Sequence, residues 1–300
     1  MGYAAYFNLE REPFSNAPND SFYFNSEQHN QALLRLMYAV DSNKGLAVLV
    51  GGVGTGKTTL ARRMLDNLPV DKYESSLLVM IHSAITPEWI LTRISMQLGV
   101  KNPDDNPLKL LKQLYERLLE IEKEGRKAVV LIDEAQMLQT RELMEEFRGL
   151  LNLEIPGKKL LNIVFFGLPE LETTMKLDEP LAQRVAVKYT LKPLSEKTTE
   201  SYIHHRIQVA GGSNSPFVAG ALSAIHRFSG GVPRLINTIC DNALFETYLR
   251  REQMVSQQIV QGVAEDLGLI NSAAEGKPAA IKTAEDIELE EIELLLDELE

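Results

Sequence analysis

The stretch VLVGGVGTGKTTLARRML, residues 48–65, carries the clearest chemical signal in the chain. Gly51, Gly56, Lys57 and Thr58 fit the spacing G-x-x-x-x-G-K-[ST], with an apolar run before them and a helical pattern after them. Such glycines let backbone N–H groups close around phosphate oxygens, the lysine neutralises the β and γ charges, and the threonine hydroxyl holds Mg²⁺. The stretch predicts a P-loop that binds a nucleoside triphosphate. The predicted contact residues are Gly52, Val53, Gly54, Thr55, Gly56, Lys57, Thr58 and Thr59.

Two adjacent carboxylates, Asp133 and Glu134, end the apolar run AVVLI. Beside a P-loop, Asp133 is predicted to hold Mg²⁺ through water, and Glu134 to polarise the water that attacks the γ-phosphate. The sequence DEAQ at 133–136 is also similar to a helicase box. A helicase needs a second core of the same kind, and the helical pattern after residue 195 leaves no room for one.

Two arginines are candidates for charge neutralisation in the transition state. Arg184 comes just before the last predicted strand, and Arg234, in SGGVPRLIN, begins a predicted helix. An arginine can stabilise the γ-phosphate from the same subunit or from a neighbour. Spacing alone leaves two other interpretations open: a surface arginine at Arg184 and a helix-start salt bridge at Arg234.

The elements that must position these residues alternate between strand and helix up to about residue 195. The predicted strands are 45–50, 76–82, 127–132, 161–166 and 185–191. A helix that Asn25 can cap is predicted before the first strand. Further helices are predicted between the strands, and two of them start at Thr86-Pro87 and Asn106-Pro107. Short apolar strands separated by helices predict an α/β fold with a parallel sheet covered on both faces.

Five segments follow from this pattern. They are an irregular N-terminal arm (1–25), an αβ nucleotide-binding domain (26–194), a helical domain (195–270), a linker (271–284) and an acidic amphipathic helix (285–300). The helical domain is predicted to contain helices at 196–210, 216–228, 233–250 and 255–267. Leu289, Ile292, Leu296 and Leu299 form one apolar seam on the last helix, which predicts a protein partner or a contact with its own helical domain.

Composition narrows the class of protein. A chain of 300 residues with 44% hydrophobic side chains is large enough for real cores, and a single Cys240 excludes an internal disulfide framework. The formal charge of −11 becomes −2 when the nine acids of 285–300 are left out, so overall acidity says little about nucleic acid. We expect no direct membrane span and a cytoplasmic location, with nucleic acid less favoured than protein as a partner.

Several motifs together resemble the AAA+ ATPases of the ExeA type. They are YFNLEREPFSNAPNDSFYFNSEQHNQALLRLMYAV, VGTGKTT, LIDEAQ, GLPEL, LAQRV and GGVPRLINTICDNAL, and the resemblance covers residues 3–267. It implies ATP with Mg²⁺, strand order 5-1-4-3-2, and a helical lid over the nucleotide. It also implies that Arg184 is a finger acting on a neighbouring subunit and Arg234 the lid's second sensor. A finger acting in trans implies a homo-oligomeric ring or filament.

The sequence departs from that family at two points. Leu168 stands where such proteins carry a polar first sensor, and leucine cannot hydrogen-bond a phosphate or a water. Hydrolysis is therefore expected to be slow or gated by a partner. The family's membrane span and peptidoglycan-binding portion are also lacking, so we expect the protein to work from the cytoplasmic side, where a partner can hold it at the inner membrane.

Three functions remain open on the sequence. The first is an ATPase that organises a membrane-associated apparatus for secretion, type IV pili or polysaccharide export. The second is a DNA-associated regulator of the transposition type, for which IPGKKLLN at 155–162 is the best basic candidate. The third is a nucleotide-gated scaffold with little turnover, which Leu168 favours.

Overall fold

A computed structural model describes residues 2–17 and 19–270 of the chain. The linker and acidic helix predicted for 271–300 lie outside the described residues. The strands are β1 (Leu46–Gly51), β2 (Tyr73–Val79), β3 (Lys127–Asp133), β4 (Glu154–Ile155), β5 (Lys158–Lys159), β6 (Leu161–Gly167) and β7 (Val185–Leu191).

The main sheet contains five parallel strands in the order β2-β3-β6-β1-β7. Numbered along the chain without the short hairpin β4–β5, this is the predicted order 5-1-4-3-2. The α/β prediction and the strand order are therefore confirmed. Because all five strands run the same way, the carboxyl ends of β1, β3 and β6 meet at one edge, where sites in open α/β sheets form.

One predicted strand was misplaced. The run 76–82 was expected to be extended, but β2 covers Tyr73–Val79 and pairs residue by residue with Lys127–Asp133. The ladder ends with β3, so Ile81 lies beyond the sheet and its side chain is exposed. Apolar character alone did not reveal where the partner strand stops.

The helices are α1 (Tyr3–Tyr6), α2 (Glu27–Asp41), α3 (Lys57–Asp66), α4 (Pro87–Gln97), α5 (Pro107–Lys123), α6 (Arg141–Leu150), α7 (Leu171–Met175), α8 (Glu179–Ala182), α9 (Glu196–Val209), α10 (Ala219–Ser229), α11 (Pro233–Leu249) and α12 (Gln257–Asp266). Thr86 and Asn106 cap α4 and α5 with proline at the first helical position, as predicted. Asn25 is not the cap of α2. Ser26 accepts the backbone N–H of His29 instead.

The two faces of the sheet are buried in separate apolar cores. Alternate residues of β1 point to opposite faces: Leu46, Val48 and Val50 pack with α4, α5 and α6, while Ala47 and Leu49 pack with α2 and α3. This alternation follows from the period of two along a strand. A sheet held on both faces fixes the loops at its carboxyl edge.

Helices α9–α12 form a third apolar core together with the N-terminal arm. The arm was predicted to be irregular, but it contains α1 and a 3₁₀ turn at Asp20–Phe22. Its side chains Tyr3, Leu9 and Phe14 are buried against the helices after residue 195. Across 2–17 and 19–270, the structure has no helix that is both long and apolar enough to cross a bilayer.

Candidate functional site

The P-loop lies between the end of β1 and the start of α3. Gly54 and Gly56 have φ values of 74° and 99°, a left-handed conformation that suits glycine. Gly56 is the residue before α3, so the backbone N–H groups at the start of that helix face the loop. This arrangement forms a cradle for anionic oxygens, as the spacing predicts.

Lys57 is buried inside the loop, and its Nζ donates to the carbonyl oxygen of Gly52 at 3.0 Å. Burial lowers the pKa of Lys57, whereas the carboxylates of Glu134 and Asp133 raise it. The nearby Arg234 lowers the pKa further, since two cations face the same space. The loop thus holds a desolvated positive charge where phosphate charge would be bound.

Asp133 ends β3 with a side chain that is 1% exposed. Its Oδ1 accepts the backbone N–H of Glu134 at 3.0 Å, while Oδ2 is buried with no hydrogen-bond partner among the described residues. Burial raises the pKa of Asp133, and the hydroxyl of Thr58 lowers it, which places the two side chains together. An orphaned carboxylate oxygen beside a threonine hydroxyl fits the oxygen ligands that Mg²⁺ prefers.

Glu134 follows in a left-handed conformation, with φ of 55°. Its carboxylate Oε2 accepts a hydrogen bond of 2.6 Å from Nε2 of Gln136. Non-glycine residues in this conformation are uncommon and are concentrated at functional sites. The backbone therefore turns the acid towards the P-loop instead of continuing the direction of β3.

The start of α11 closes the site from the other side. The backbone N–H of Arg234 donates to the carbonyl of Gly54 at 3.3 Å. A Cβ at Gly54 would come within 2.8 Å of the Cβ of Arg234 and 3.0 Å of a Val232 methyl. Glycine at position 54 therefore permits the helices after residue 195 to touch the loop.

One cavity contains most of the predicted site residues. Those that line it are Val53, Gly54, Thr55, Gly56, Lys57, Thr58, Thr59, Glu134 and Arg234. Gly52 and Asp133 stand directly behind this lining, in contact with Lys57 and Thr58. Leu168, at the predicted first-sensor position, also lines the cavity, and its side chain has no polar atom.

The structure does not bring Arg184 to this cavity. The side chain lies before β7, where Nη1 donates to Oδ1 of Asn152 at 2.6 Å and to the carbonyl of Arg148 at 3.3 Å. It is half-buried at the opposite end of its strand from the P-loop. Within one subunit Arg184 is therefore too remote to contact the bound phosphates.

Sequence reasoning missed His29. It is buried on α2, where Nδ1 contacts Ser26 Oγ at 2.6 Å and Nε2 contacts the carbonyl of Thr55 at 3.2 Å. A carbonyl can only accept, so Nε2 must carry the proton. Burial lowers the pKa of His29, which keeps the ring neutral. The SEQH stretch contained a signal, because a histidine three residues after a capping serine can bond it.

The arm also contributes to the cavity. Its contributing residues include Ser15, Asn16, Ala17, Asn19, Asp20 and Phe22. Arg206 on α9 holds this segment, since its guanidinium donates to the carbonyls of Pro13 and Ser15 and stacks on Phe22. The sequence predicted only an irregular arm, because periodicity cannot reveal a contact between residues so far apart in the chain.

A protein-family model described as an AAA domain matches residues 40–175, which contain the P-loop and both carboxylates. Residues 40–175 are therefore similar in sequence to an AAA domain. General secretion pathway protein A of Aeromonas hydrophila is 40% identical over 263 residues, which are 87% of this chain and 47% of that protein. The predicted resemblance to the ExeA type is confirmed. The chain spans about half the length of this relative.

Solved structures share the AAA fold at low sequence identity. The Aeropyrum pernix ORC2 protein, in ADPNP–ADP complexes, has a TM-score of 0.62 and 17% identity, covering 86% of this chain and 72% of its own. Cdc6p from Pyrobaculum aerophilum has a TM-score of 0.63 and 15% identity, covering 85% of this chain and 70% of its own. At such identities the AAA architecture is what these proteins have in common with this chain.

Proposed function

We propose that this chain is an ATPase that binds ATP with Mg²⁺ in the P-loop cavity and hydrolyses its γ-phosphate. The observation that carries the proposal is the convergence of Lys57, the Thr58–Asp133 pair and Glu134 on one cavity. The ORC2 protein, which has the same fold, forms complexes with ADPNP and ADP, and this supports a nucleotide ligand here.

Each residue has a distinct part in the proposed reaction. Lys57 neutralises the phosphates from within the loop, and Arg234 adds a second cation from the start of α11. Thr58 and Asp133 would hold Mg²⁺, the latter through water, and the ion would offset charge on the β and γ oxygens. Glu134 orients the attacking water and accepts its proton as the new P–O bond forms, while the bond from the γ-phosphorus to the β–γ bridging oxygen breaks and ADP leaves.

Two substitutions test this proposal. Lys57→Ala should abolish nucleotide binding, because the loop loses its fixed positive charge. Glu134→Gln should bind ATP as the parent does but stop turnover, since an amide cannot accept the proton of the water. Nucleotide binding measured by fluorescence, together with phosphate release, separates the two effects. A Glu134→Gln protein that hydrolyses ATP at the parent rate would overturn the assignment.

We further propose that the protein acts as a homo-oligomer, a ring or filament, on the cytoplasmic side of a membrane-associated secretion, pilus or export apparatus. The similarity to General secretion pathway protein A of Aeromonas hydrophila supports a secretion-related process. Identifying the proteins that co-purify with the intact chain, with and without ATP, tests this. Components of a DNA-processing machine in place of envelope proteins would contradict it.

The acidic segment 285–300 is proposed to dock on a protein of that apparatus through its seam of leucine and isoleucine. Ending the chain at residue 270 should leave basal hydrolysis unchanged and abolish recruitment to the membrane. The same loss is expected from Ile292→Lys combined with Leu296→Lys, which puts charge in the seam. A truncated chain that still localises would place the contact within residues 1–270 instead.

The DNA-associated alternative has less support. Lys158 and Lys159, the best basic candidates, are ion-paired with Glu122 and Glu154, so their charge is already neutralised. A DNA complex held by phosphate contacts weakens steeply with salt, so a mobility-shift assay at two salt concentrations tests this alternative. The scaffold alternative predicts ATP binding with no turnover above that of Glu134→Gln.

A further inference from the structure

The side chain of Gln136 connects two parts of the candidate site that are distant in the sequence, Glu134 after β3 and Leu168 after β6. Its Nε2 donates to Oε2 of Glu134 at 2.6 Å, and its Oε1 accepts the backbone N–H of Leu168 at 3.1 Å. The residue is 8% exposed, so water has little access to either bond. Both ends of one carboxamide are therefore used, one on the proposed base and one on the end of β6.

The orientation of this carboxamide follows from its partners. The Leu168 N–H can only donate, so it must face the oxygen of Gln136. An ionised Glu134 can only accept, so it must face the amide nitrogen. The bond to Glu134 is charge-assisted and belongs to the stronger class of hydrogen bonds. It restrains the carboxylate without taking part in the chemistry.

The backbone around Gln136 is arranged for this bridge. The left-handed turn at Glu134 leads into a 3₁₀ turn at Ala135–Met137, which brings position 136 back beside the carboxylate. On the other side, a Cβ at Gly167 would lie 3.2 Å from Oε1 of Gln136. The missing side chain at Gly167 leaves room for the carboxamide against the strand end.

The bridge matters because Leu168 stands at the predicted first-sensor position. Leu168 lines the cavity at the end of β6 but has no polar side-chain atom to offer. The polar group at this strand end is instead the carboxamide of Gln136, which reaches Leu168 from the turn after β3. The strand end and the proposed base are thus held by one side chain.

We propose that Gln136 is a positioning residue for hydrolysis: its carboxamide fixes the carboxylate of Glu134 relative to the end of β6. This proposal rests on the proposed ATPase function. A base must be held within hydrogen-bond reach of its water, and a small displacement of a positioned group lowers the rate strongly. Loss of the bridge should therefore slow the chemical step and leave ATP binding intact.

Two variants, with side chains about as long as that of glutamine, test the two hydrogen bonds of Gln136 separately. Gln136→Met removes both hydrogen bonds, whereas Gln136→Glu keeps an acceptor for the Leu168 N–H and puts a carboxylate against Glu134. We expect both to lower kcat by about tenfold or more, a part of the 10²- to 10⁴-fold effect of a general base. KM and the Kd for ATP should stay within about twofold of the parent. Gln139→Met, an exposed site in the same segment, is the matched control and should change nothing.

A double-mutant cycle tests whether Gln136 acts through Glu134. In the Glu134→Gln background, Gln136→Met should reduce the residual rate no further, because the group that it positions is already lost. A further tenfold loss would overturn the proposal. So would a Gln136→Glu protein with the parent kcat, since the contact with Leu168 would then suffice.

Further outcomes distinguish an error in the role of Gln136 from an error in the proposed ATPase function. If the parent hydrolyses ATP and Glu134→Gln stops it, while Gln136→Met keeps the parent kcat, only the positioning role is wrong. A lower melting temperature with unchanged kcat and KM in both variants would assign Gln136 a structural role and overturn the proposal. A parent chain with no turnover overturns the proposed function and this inference together.

Discussion

A single histidine shows how much of the P-loop's shape depends on residues outside the motif. His29 fills the space behind Gly56, where a Cβ would come within 3.0 Å of its Nε2, and it holds the carbonyl of Thr55. The ring is in turn oriented by Ser26. The loop is thus supported by helix α2, and His29 must remain neutral to be buried there without a charged partner.

The lowered pKa of His29 predicts a pH dependence of stability. Its folded pKa lies below the unfolded value of about 6.5, so the unfolded chain takes up a proton first as pH falls. The contribution of His29 to the free energy of unfolding is therefore complete above the unfolded pKa and is lost progressively as the pH falls below it. His29→Gln should lower the free energy of unfolding at pH 7.5. The drop in that free energy between pH 7.5 and pH 5.5 should, however, be smaller than in the parent, by up to about 1 kcal/mol.

Urea unfolding at the two pH values measures this difference. The exposed His82 provides the matched control, and His82→Gln should follow the parent at both. A His29→Gln protein whose stability falls between pH 7.5 and 5.5 as much as the parent's would show that His29 is not responsible. The same variant should bind ATP more weakly, because Thr55 loses its support.

At the scale of elements, the N-terminal arm is joined to the helices after residue 195 by Arg206. The guanidinium reaches the carbonyls of Pro13 and Ser15 and also donates to Oδ1 of Asn237 and to Tyr202. The arm lines the cavity from this position. It therefore belongs with the element that closes over the P-loop.

Arg206→Met should release the arm. The change leaves two carbonyls without their donor and removes a buried network, which predicts a loss of about 2–4 kcal/mol in stability. ATP affinity should fall as well, because one wall of the cavity is no longer fixed. Limited proteolysis followed by mass spectrometry should find new cleavage within residues 10–25. Arg227→Met, an exposed arginine on α10, is the control. An arm as resistant as the parent's would contradict the proposed anchoring.

The sequence predicted the elements better than their contacts. The P-loop, the strand that brings Asp133 to the edge of the sheet, and the strand order were predicted correctly, because local patterns and a specific resemblance define them. The arm's packing, the support from His29 and the bridge by Gln136 were missed. Each of these depends on where a side chain points after the chain has folded. The spacing of Ser26 and His29 indicates the bond between those two residues, but not the contact of His29 with the carbonyl of Thr55.

On the scale of the whole molecule, the site is built from three buried cores. The cores on the two faces of the sheet position the P-loop and the carboxylates, and the third core packs the arm against α11, at whose start Arg234 lies. The contact between Arg234 and Gly54 joins them across the cavity. A nucleotide between these parts would contact both, so its γ-phosphate can influence how they sit together.

If Arg184 is the finger that the resemblance implies, its position predicts that hydrolysis requires a second subunit. Its side chain is remote from its own cavity, and its bonds are with Asn152 and the carbonyl of Arg148. Arg184→Ala should keep ATP affinity and lose oligomer-stimulated hydrolysis, by about 10³-fold if the arginine neutralises the transition state. Phosphate release measured over a range of protein concentrations checks this. Arg141→Ala, an exposed arginine on α6, should behave as the parent.

Mixing two inactive variants decides whether Arg184 acts on a neighbour. Arg184→Ala subunits retain Glu134, and Glu134→Gln subunits retain Arg184, so a complete site forms wherever the second donates its arginine to the first. At equal proportions in a closed oligomer, about one interface in four is complete, and about a quarter of the parent rate should return. Each variant alone should stay inactive. If both fold and assemble but no mixture regains activity, Arg184 does not act in trans.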